Sequence, residues 1–406
     1  MVTASLLLGV VFSNYVLIRA NASQSLSTAI STSGAVQYQI GGKSSMWLHT
    51  QGTHILDADN QEVIWDGINS RSLFGYWTYA QNGKLEEFLH ANDIQIIRSH
   101  GLNFVRVWVS LSQAVFNQPM GTPTKLNYYP RFWTLLDEIV NASAKYGGWI
   151  SIDYHLSDYV WANLGGAWGD GSGFPKWMYD GSWSYFNKIY TNDLAGRTAA
   201  IRDFWNINDS TAANVRLAFQ TFWKDIITRY KNAPNVVFSI FNEPMETWDG
   251  PNLYLVPSYS TPSQDWQKQI TMFQTFMENM VDTIRAIDGG KHVIIINQGA
   301  FPSHDWNPQI RKPNIVVEDH YYLSDLPNHI EYFAQNAFRY DQPFELGEFG
   351  GVEQGWLQTE SQAILSMQTC NRLGVGWVYL WYDPGVAPSA QIWTDMENNL
   401  LPNLRY

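Results

Sequence analysis

The sequence predicts an α/β protein built as one (β/α)8 barrel (a TIM barrel) with an N-terminal β-hairpin. Three observations predict it. Eight short apolar runs follow one another between residues 63 and 383, separated by loops and helix-like segments. The runs are nearly continuously apolar, the pattern of parallel strands covered by helices rather than of half-exposed ones. Eight is also the number of strands that closes such a barrel, and 406 residues with 45% hydrophobic content supply the core it needs. An open doubly wound sheet would carry a glycine-rich phosphate loop after its first strand, and "DGINSRSLFGYW" is not one.

The chain begins with "ASLLLGVVF" and "SNYVLIRANA", an apolar stretch ending in an Ala-x-Ala-like site at Ala20–Asn21–Ala22. Residues 1–22 are therefore expected to be a signal peptide, with a membrane anchor as the competing reading, because Arg19 interrupts the run and a charged start is missing. Residues 23–45 are Ser/Thr-rich and read as a spacer, and 46–406 as the catalytic domain. "MWLHTQGTHILDADNQEVI" reads as a hairpin turning at Asp57 to Asn60. The barrel strands then follow: "VIWDGIN", "NFVRVWV", "GWISIDYH", "NVVFSIFNE", "HVIIINQG", "NIVVEDHYY", "PFELGEFG" and "GWVYLWYD". Helices are expected in "LEEFLHANDIQIIRSHG", "YPRFWTLLDEIVNASAKYG", "NVRLAFQTFWKDIITRYK" and "DWQKQITMFQTFMENMVDTIRAID", several with good caps.

Composition narrows the function classes. A net charge of −12 with no basic stripe argues against nucleic acid and suits a soluble protein acting on neutral ligands. The single cysteine, Cys370, excludes an internal disulfide and sits in a helix-like stretch as a buried thiol. Of the 19 Trp and 22 Tyr many must be core, and a surplus this large also suits a groove for flat-faced ligands such as sugar rings. Sequons at Asn21, Asn141 and Asn208 are compatible with export. The expected location is secreted, or held outside the cell by an N-terminal anchor, and a monomer is expected.

In barrels of this kind the chemistry sits at the C-terminal strand ends. Those ends carry Arg106, Asp153 and His155, Asn242 and Glu243, His320 and Tyr322, Glu348, and Trp381 with Asp383. Two acids stand out, Glu243 on the fourth strand and Glu348 on the seventh. Glycoside hydrolysis with retention needs two carboxyls about 5–5.5 Å apart, one as acid/base and one as nucleophile. On the seventh strand Glu345 and Glu348 are an odd number of positions apart, so alternation places only one of them toward the axis. Glu348, nearer the strand end and followed by Gly350 and Gly351, is taken as the reactive one and Glu345 as structural.

"FNEP" closing the fourth strand, "DHYY" the sixth and "GEFGG" the seventh resemble family 5 of the glycoside hydrolases, cellulase-like enzymes of the retaining clan A, over about residues 46–406. The resemblance implies that Glu243 is the acid/base, Glu348 the nucleophile and Asn242 a donor to the sugar 2-hydroxyl. Arg106, His155, His320 and Tyr322 fall where that family keeps its supporting polar shell. It implies no cofactor and no catalytic metal. The family's strand 8 tryptophan does not align without a gap: Leu380 takes its position, with Trp381 beside it. Either a bulge shifts the register or the platform comes from elsewhere, and Trp381 is the choice.

The expected activity is retaining, endo-acting hydrolysis of β-1,4-glucan, with β-mannan or β-1,3-glucan as alternatives on the same scaffold. The partner is a polysaccharide or oligosaccharide. The long, Trp-rich stretch from Leu156 to about Ser210 reads as a cleft wall. Two rival readings compete: a metal-dependent barrel hydrolase using Asp153, His155, Asp158, Asp319 and His320, and a non-catalytic carbohydrate-binding protein.

Overall fold

The computed structural model describes residues 46–70, 73–75, 86–87, 89–115, 123–155, 204–210, 212–242, 264–297, 310–321, 326–352, 358–382 and 388–400. Residues 1–45, the stretch 156–203, and Glu243, Tyr322 and Asp383 lie outside them, together with the expectations placed on those positions.

A small antiparallel hairpin comes first, β1 (Leu48–Gln51) with β2 (His54–Asp57). Its turn is at Gly52–Thr53, with Gly52 at φ 60°, and not at Asp57–Asn60 as expected. The latter is a second turn: Asn60 N donates to Asp57 O, and the chain returns along β2 through a Val63 N to Ile55 O bond. Both turns have the residue types their backbones need, and nothing in the alternation ranks one above the other.

Eight parallel strands then close a barrel. They are β3 (Asp66–Ser70), β6 (Phe104–Val109), β7 (Trp149–Tyr154), β8 (Val236–Ser239), β9 (Ile294–Asn297), β10 (Ile315–His320), β11 (Phe344–Gly350) and β12 (Gly376–Tyr382), which pairs back onto β3. Between the first two, β4 (Phe74–Gly75) and β5 (Glu86–Glu87) form a two-residue pairing. Because Glu86 and Glu87 are in that pairing, the first long helix starts later than expected. It is α1 (Ala91–Ser99), opened by the Asp93 carboxylate accepting from His90 N at 2.8 Å.

The remaining helices are α2 (Leu111–Ala114), α3 (Phe132–Lys145), α4 (Ala213–Tyr230), α5 (Gln264–Asp288), α6 (Leu326–Phe338), α7 (Glu360–Leu373) and α8 (Ala390–Asn398). Helix α7 has both ends written in the sequence: a Thr359 cap paired with Gln362, and Gly374 at φ 70° after its last turn. Much of the aromatic surplus is packing between barrel and helices. Tyr154, Phe204, Trp205, Phe219, Phe241 and Phe276 meet at centroid distances such as 4.7 Å for Tyr154–Phe219 and 4.8 Å for Trp205–Phe241. Each such side chain contributes about 1.5–3 kcal/mol by leaving water.

The floor of the barrel is apolar and continuous with the hairpin. Met46, Leu48, Ile55, Val63 and Trp65 pack with Phe104, Trp149, Val237, Val293, Ile295, Val316 and Val378. Trp149 Nε1 donates to Met46 O at 2.9 Å, and Thr50 N donates to Asn314 Oδ1 at 3.0 Å. The hairpin thus closes the N-terminal end, leaving the C-terminal end for chemistry.

Candidate active site

The site is built around Arg106. Alternation along β6 turns Phe104, Arg106 and Trp108 inward. Phe104 stacks on Trp65 in the floor, at 4.5 Å, and Arg106 stands directly above it, 0% exposed. A buried guanidinium is tolerated only if its donors and charge are met. Nη1 donates to Asn69 Oδ1 at 3.0 Å and Glu348 Oε1 at 2.5 Å. Nη2 donates to Asp153 Oδ1 at 2.9 Å, Asn242 Oδ1 at 2.7 Å and Glu318 Oε1 at 3.2 Å. Burial alone would weaken its hold on the proton. The surrounding charges of Asp153, Glu318 and Glu348 outweigh this and raise its pKa above the ordinary arginine value.

One wall comes from β7 and β8. Asp153 Oδ1 also accepts from Ser239 Oγ at 2.7 Å, and Asp153 Oδ2 faces His155 Nδ1 at 2.9 Å. Burial lifts the Asp153 pKa to about 6, against the pull of Arg106 and with the push of Glu318. Burial also holds His155 well below the ordinary histidine value, so its ring is neutral at pH 7. A neutral ring that donates Nδ1–H to Asp153 keeps Nε2 as an acceptor. The ring lies flat on Trp108, 3.6 Å between centroids, and Trp108 Nε1 donates to Asn69 Oδ1 at 3.0 Å. Asn242 N donates to Tyr154 O, and with its side-chain oxygen on Arg106 the amide NH2 is what Asn242 can offer a ligand.

The opposite wall comes from β9, β10 and β11. Glu318 and His320 are two apart on β10 and share the inner face. Glu318 Oε1 accepts from Asn297 Nδ2 at 2.7 Å and lies 3.1 Å from His320 Nε2. Burial opposes the Glu318 charge, but Arg106, His320 and Asn297 bring its pKa down to about 2. His320 Nδ1 is 3.6 Å from Glu348 Oε2, so the ring spans the two acids.

Strand β11 departs from the expected alternation. Glu318 pairs with Glu345 and His320 with Glu348, the register shifting by one residue between Asp319 and His320. A second shift against β12 falls between Leu346 and Phe349. The irregularity centres on Gly347, where an added Cβ would lie 2.3 Å from Glu318 Cδ. Both glutamates consequently reach the interior, and the parity argument that admitted only one of them does not hold. They differ in depth. Glu345 is 0% exposed, against Glu318, and burial followed by the Glu318 charge pushes its pKa well above the ordinary value. The Glu348 side chain is 5% exposed, while those of Asp153 and Glu318 are at 0%. Glu348 is therefore the acid of this group that reaches the mouth.

On β12 the register against β3 shifts between Tyr379 and Tyr382, and the Leu380–Trp381 peptide is cis. The shift is the bulge-like alternative of the two expected. The Trp381 ring stands 6.5 Å from Trp108, edge to face, at the rim. Of the eight residues singled out from sequence, Arg106, His155, Asn242, His320, Glu348 and Trp381 come together here, while Glu243 and Tyr322 lie outside the described residues. Asn69, Trp108, Ser239, Asn297 and Glu318 belong to the same network and were not singled out. Glu318 was findable, as a carboxylate two residues before His320 inside an apolar run. Of the metal-site grouping, Asp158 lies outside the described residues, and Asp319 points away from His320, with its carboxylate 3.6 Å from His329 Nε2 on α6.

Solved structures share this architecture. The chain is similar to an endogalactoceramidase at 18% identity and TM-score 0.59, over 86% of this chain and 78% of that one. It is similar to endo-glycoceramidase II from Rhodococcus sp., captured as a lactosyl-enzyme intermediate, at 19% identity and TM-score 0.58, over 84% and 80%. The cellulose synthase subunit Z of Clostridioides difficile is similar at 16% identity and TM-score 0.52, over 84% of this chain and all of that one. At such identities the likeness shows the fold. Among curated protein sequences none matches. The cellulase model of glycosyl hydrolase family 5 matches residues 56–384, which is most of the chain and every barrel strand. With that match, the chain belongs to glycosyl hydrolase family 5, the cellulase family.

Proposed function

We propose that this glycoside hydrolase is a retaining, endo-acting enzyme that cleaves β-1,4-glucan. Glu348 is the nucleophile in this reading, and Glu243, which follows Asn242 directly in sequence, is the acid/base. The observation that carries the assignment is the grip on Glu348: Arg106 donates to one oxygen at 2.5 Å and His320 approaches the other at 3.6 Å. A carboxylate oxygen bound by a guanidinium that is itself fixed on Asn69, Asp153 and Asn242 is held in one orientation for in-line attack. Asn242, anchored by the same arginine at 2.7 Å, directs its NH2 to the 2-hydroxyl of the sugar. Tyr322 is assigned as a further donor to Glu348, and Trp381, at the rim beside Trp108, as a platform for a sugar face.

The chemistry then runs in two displacements. Glu348 attacks the anomeric carbon while Glu243 gives its proton to the leaving oxygen. Water, deprotonated by Glu243, then releases the sugar with its original configuration. Glu348→Ala should abolish turnover on every substrate. Glu243→Ala should retain the first step on an activated aryl β-glycoside, show a burst, and be rescued by azide to give a β-glycosyl azide. An α-azide from Glu243→Ala would exchange the two roles. The family match supports a glucan; the likeness to endo-glycoceramidases adds glycosylceramide to the substrate panel, beside carboxymethyl cellulose, glucomannan, galactomannan and laminarin. Product sizing on a soluble glucan separates internal from terminal cleavage, and a preference for another panel member would displace the glucan assignment.

A further inference from the structure

Arg106, which binds Glu348, and His320, which stands beside it, both meet one deeper oxygen. Glu318 Oε1 accepts from Arg106 Nη2 at 3.2 Å and lies 3.1 Å from His320 Nε2, with Asn297 Nδ2 fixing it at 2.7 Å. Its other oxygen, Oε2, takes none of these three donors and lies over Gly347. Beside it is Glu345, which is fully buried and whose two carboxyl oxygens accept from no donor among the described residues. Two carboxylates cannot both stay charged in contact inside a barrel. The bonds decide which one keeps the charge: Arg106, His320 and Asn297 all address Glu318, and none of them bonds Glu345.

We propose that Glu318 and Glu345 are an acid pair holding one proton, resident on Glu345, and that the charge left on Glu318 is the positioning charge for Glu348, acting through Arg106 and His320. The inference rests on Glu348 being the nucleophile. In the first displacement a bond forms between Glu348 and the anomeric carbon, the glycosidic bond breaks, and the leaving oxygen takes the proton of Glu243. The Glu348 charge is consumed in the ester. Arg106 is then a buried cation without its nearest partner, and Glu318 remains to compensate it. Asp153 is the other candidate, but at a pKa of about 6 it is the less dependable anion. The charged and titratable groups facing Glu318 are Arg106 from β6, Asp153 and His155 from β7, His320 from its own strand and Glu345 and Glu348 from β11.

The pair gives opposite expectations for two isosteric changes. Glu318→Gln removes a negative charge near Glu348 and frees Arg106 to favour its ionised form. The acid limb of kcat/KM should move to lower pH, by roughly 1 unit. Glu345→Gln exchanges a neutral acid for a neutral amide and should leave the limb where it is. The test measures kcat/KM against pH on an aryl β-glycoside turned over by the full chain, for the parent and both variants, with melting curves alongside. An unmoved limb in a folded Glu318→Gln, or an equal shift in Glu345→Gln, overturns the proposal. If Glu318→Gln fails to fold, infrared difference spectra of parent against Glu345→Gln at neutral pH decide. A protonated carboxyl band present in the parent and lost in the variant supports it, and absence of that band in the parent overturns it. Should Glu348→Ala keep its activity, the nucleophile assignment falls, and the infrared comparison still locates the proton.

Discussion

The lower and upper halves of the barrel interior are made by the same strands and obey opposite rules. A step of two residues carries Phe104 to Arg106, Trp149 to Ser151 and Asp153, Val237 to Ser239, Ile295 to Asn297, and Val316 to Glu318. Below the step the contacts are non-directional, and any well-shaped apolar side chain serves. Above it every atom is specified, because a buried charge that loses its partner has no water to turn to. The lower half holds the barrel closed; the upper half holds a geometry. The backbone differs as well: the register shifts of β10, β11 and β12 all fall in the upper half.

Breaking each half in turn should therefore give different signatures. The largest effect is expected from Arg106→Met, which strands Asp153, Glu318 and Glu348 together. Loss of about 3–5 kcal/mol of stability with complete loss of turnover is expected. Denaturant melts and kinetics on the same preparation check it, and a variant as stable as its parent would show that the acids neutralise one another without the cation. Next is Ile295→Ala in the floor, expected to cost about 2–5 kcal/mol while leaving kcat/KM at room temperature essentially unaltered. A kinetic defect comparable to its stability defect would mean that the two halves are mechanically coupled.

The smallest effect is expected from Ser239→Ala, which removes one donor to Asp153 at a cost of about 1–3 kcal/mol. It also sharpens the contrast through pH. The folded-state pKa of Asp153, about 6, is above the ordinary aspartate value, so between the two the folded state binds more protons than the unfolded. Stability from this group is present at low pH and falls as pH rises toward 6. Losing the Ser239 donor disfavours the charged form further and should extend that decline to higher pH. Melting temperatures across pH 4–8 test this, and a decline that shortens instead would reverse the assigned role of the hydroxyl.

The contrast also explains what could be read from sequence. The eight strands were legible because burial on both faces leaves long apolar runs, and the helices because caps such as Thr359 and Gly374 mark their ends. Strand-end residues were legible because a polar group closing an apolar run is expensive unless used. Asn69 and Glu318 were harder, since they lie within strands, where one polar residue is easily absorbed into an apolar average; Asn297 closes β9 and was readable by the strand-end rule but was passed over. The misjudged pair was Glu345 and Glu348. Counting by twos is sound only along an unbroken ladder, and the break at Gly347 leaves no mark in the sequence beyond a glycine that has many other possible reasons. The hairpin turn was misplaced for a related reason: two adequate turns compete, and only the packing of Leu48 and Ile55 into the floor selects between them.

Gly347 has a consequence for anyone who would move this chemistry to another scaffold. The stem of Glu318 occupies the volume that any other residue's first side-chain carbon would need, 2.3 Å from Glu318 Cδ. Copying Glu348, the arginine and the histidine alone would still fail, because the inner acid would be displaced and its two tenants with it. The transferable unit includes an absence. A designer has to specify a missing atom as carefully as the present ones, and a search for equivalent sites should look for a glycine at that strand position before it looks for the acids.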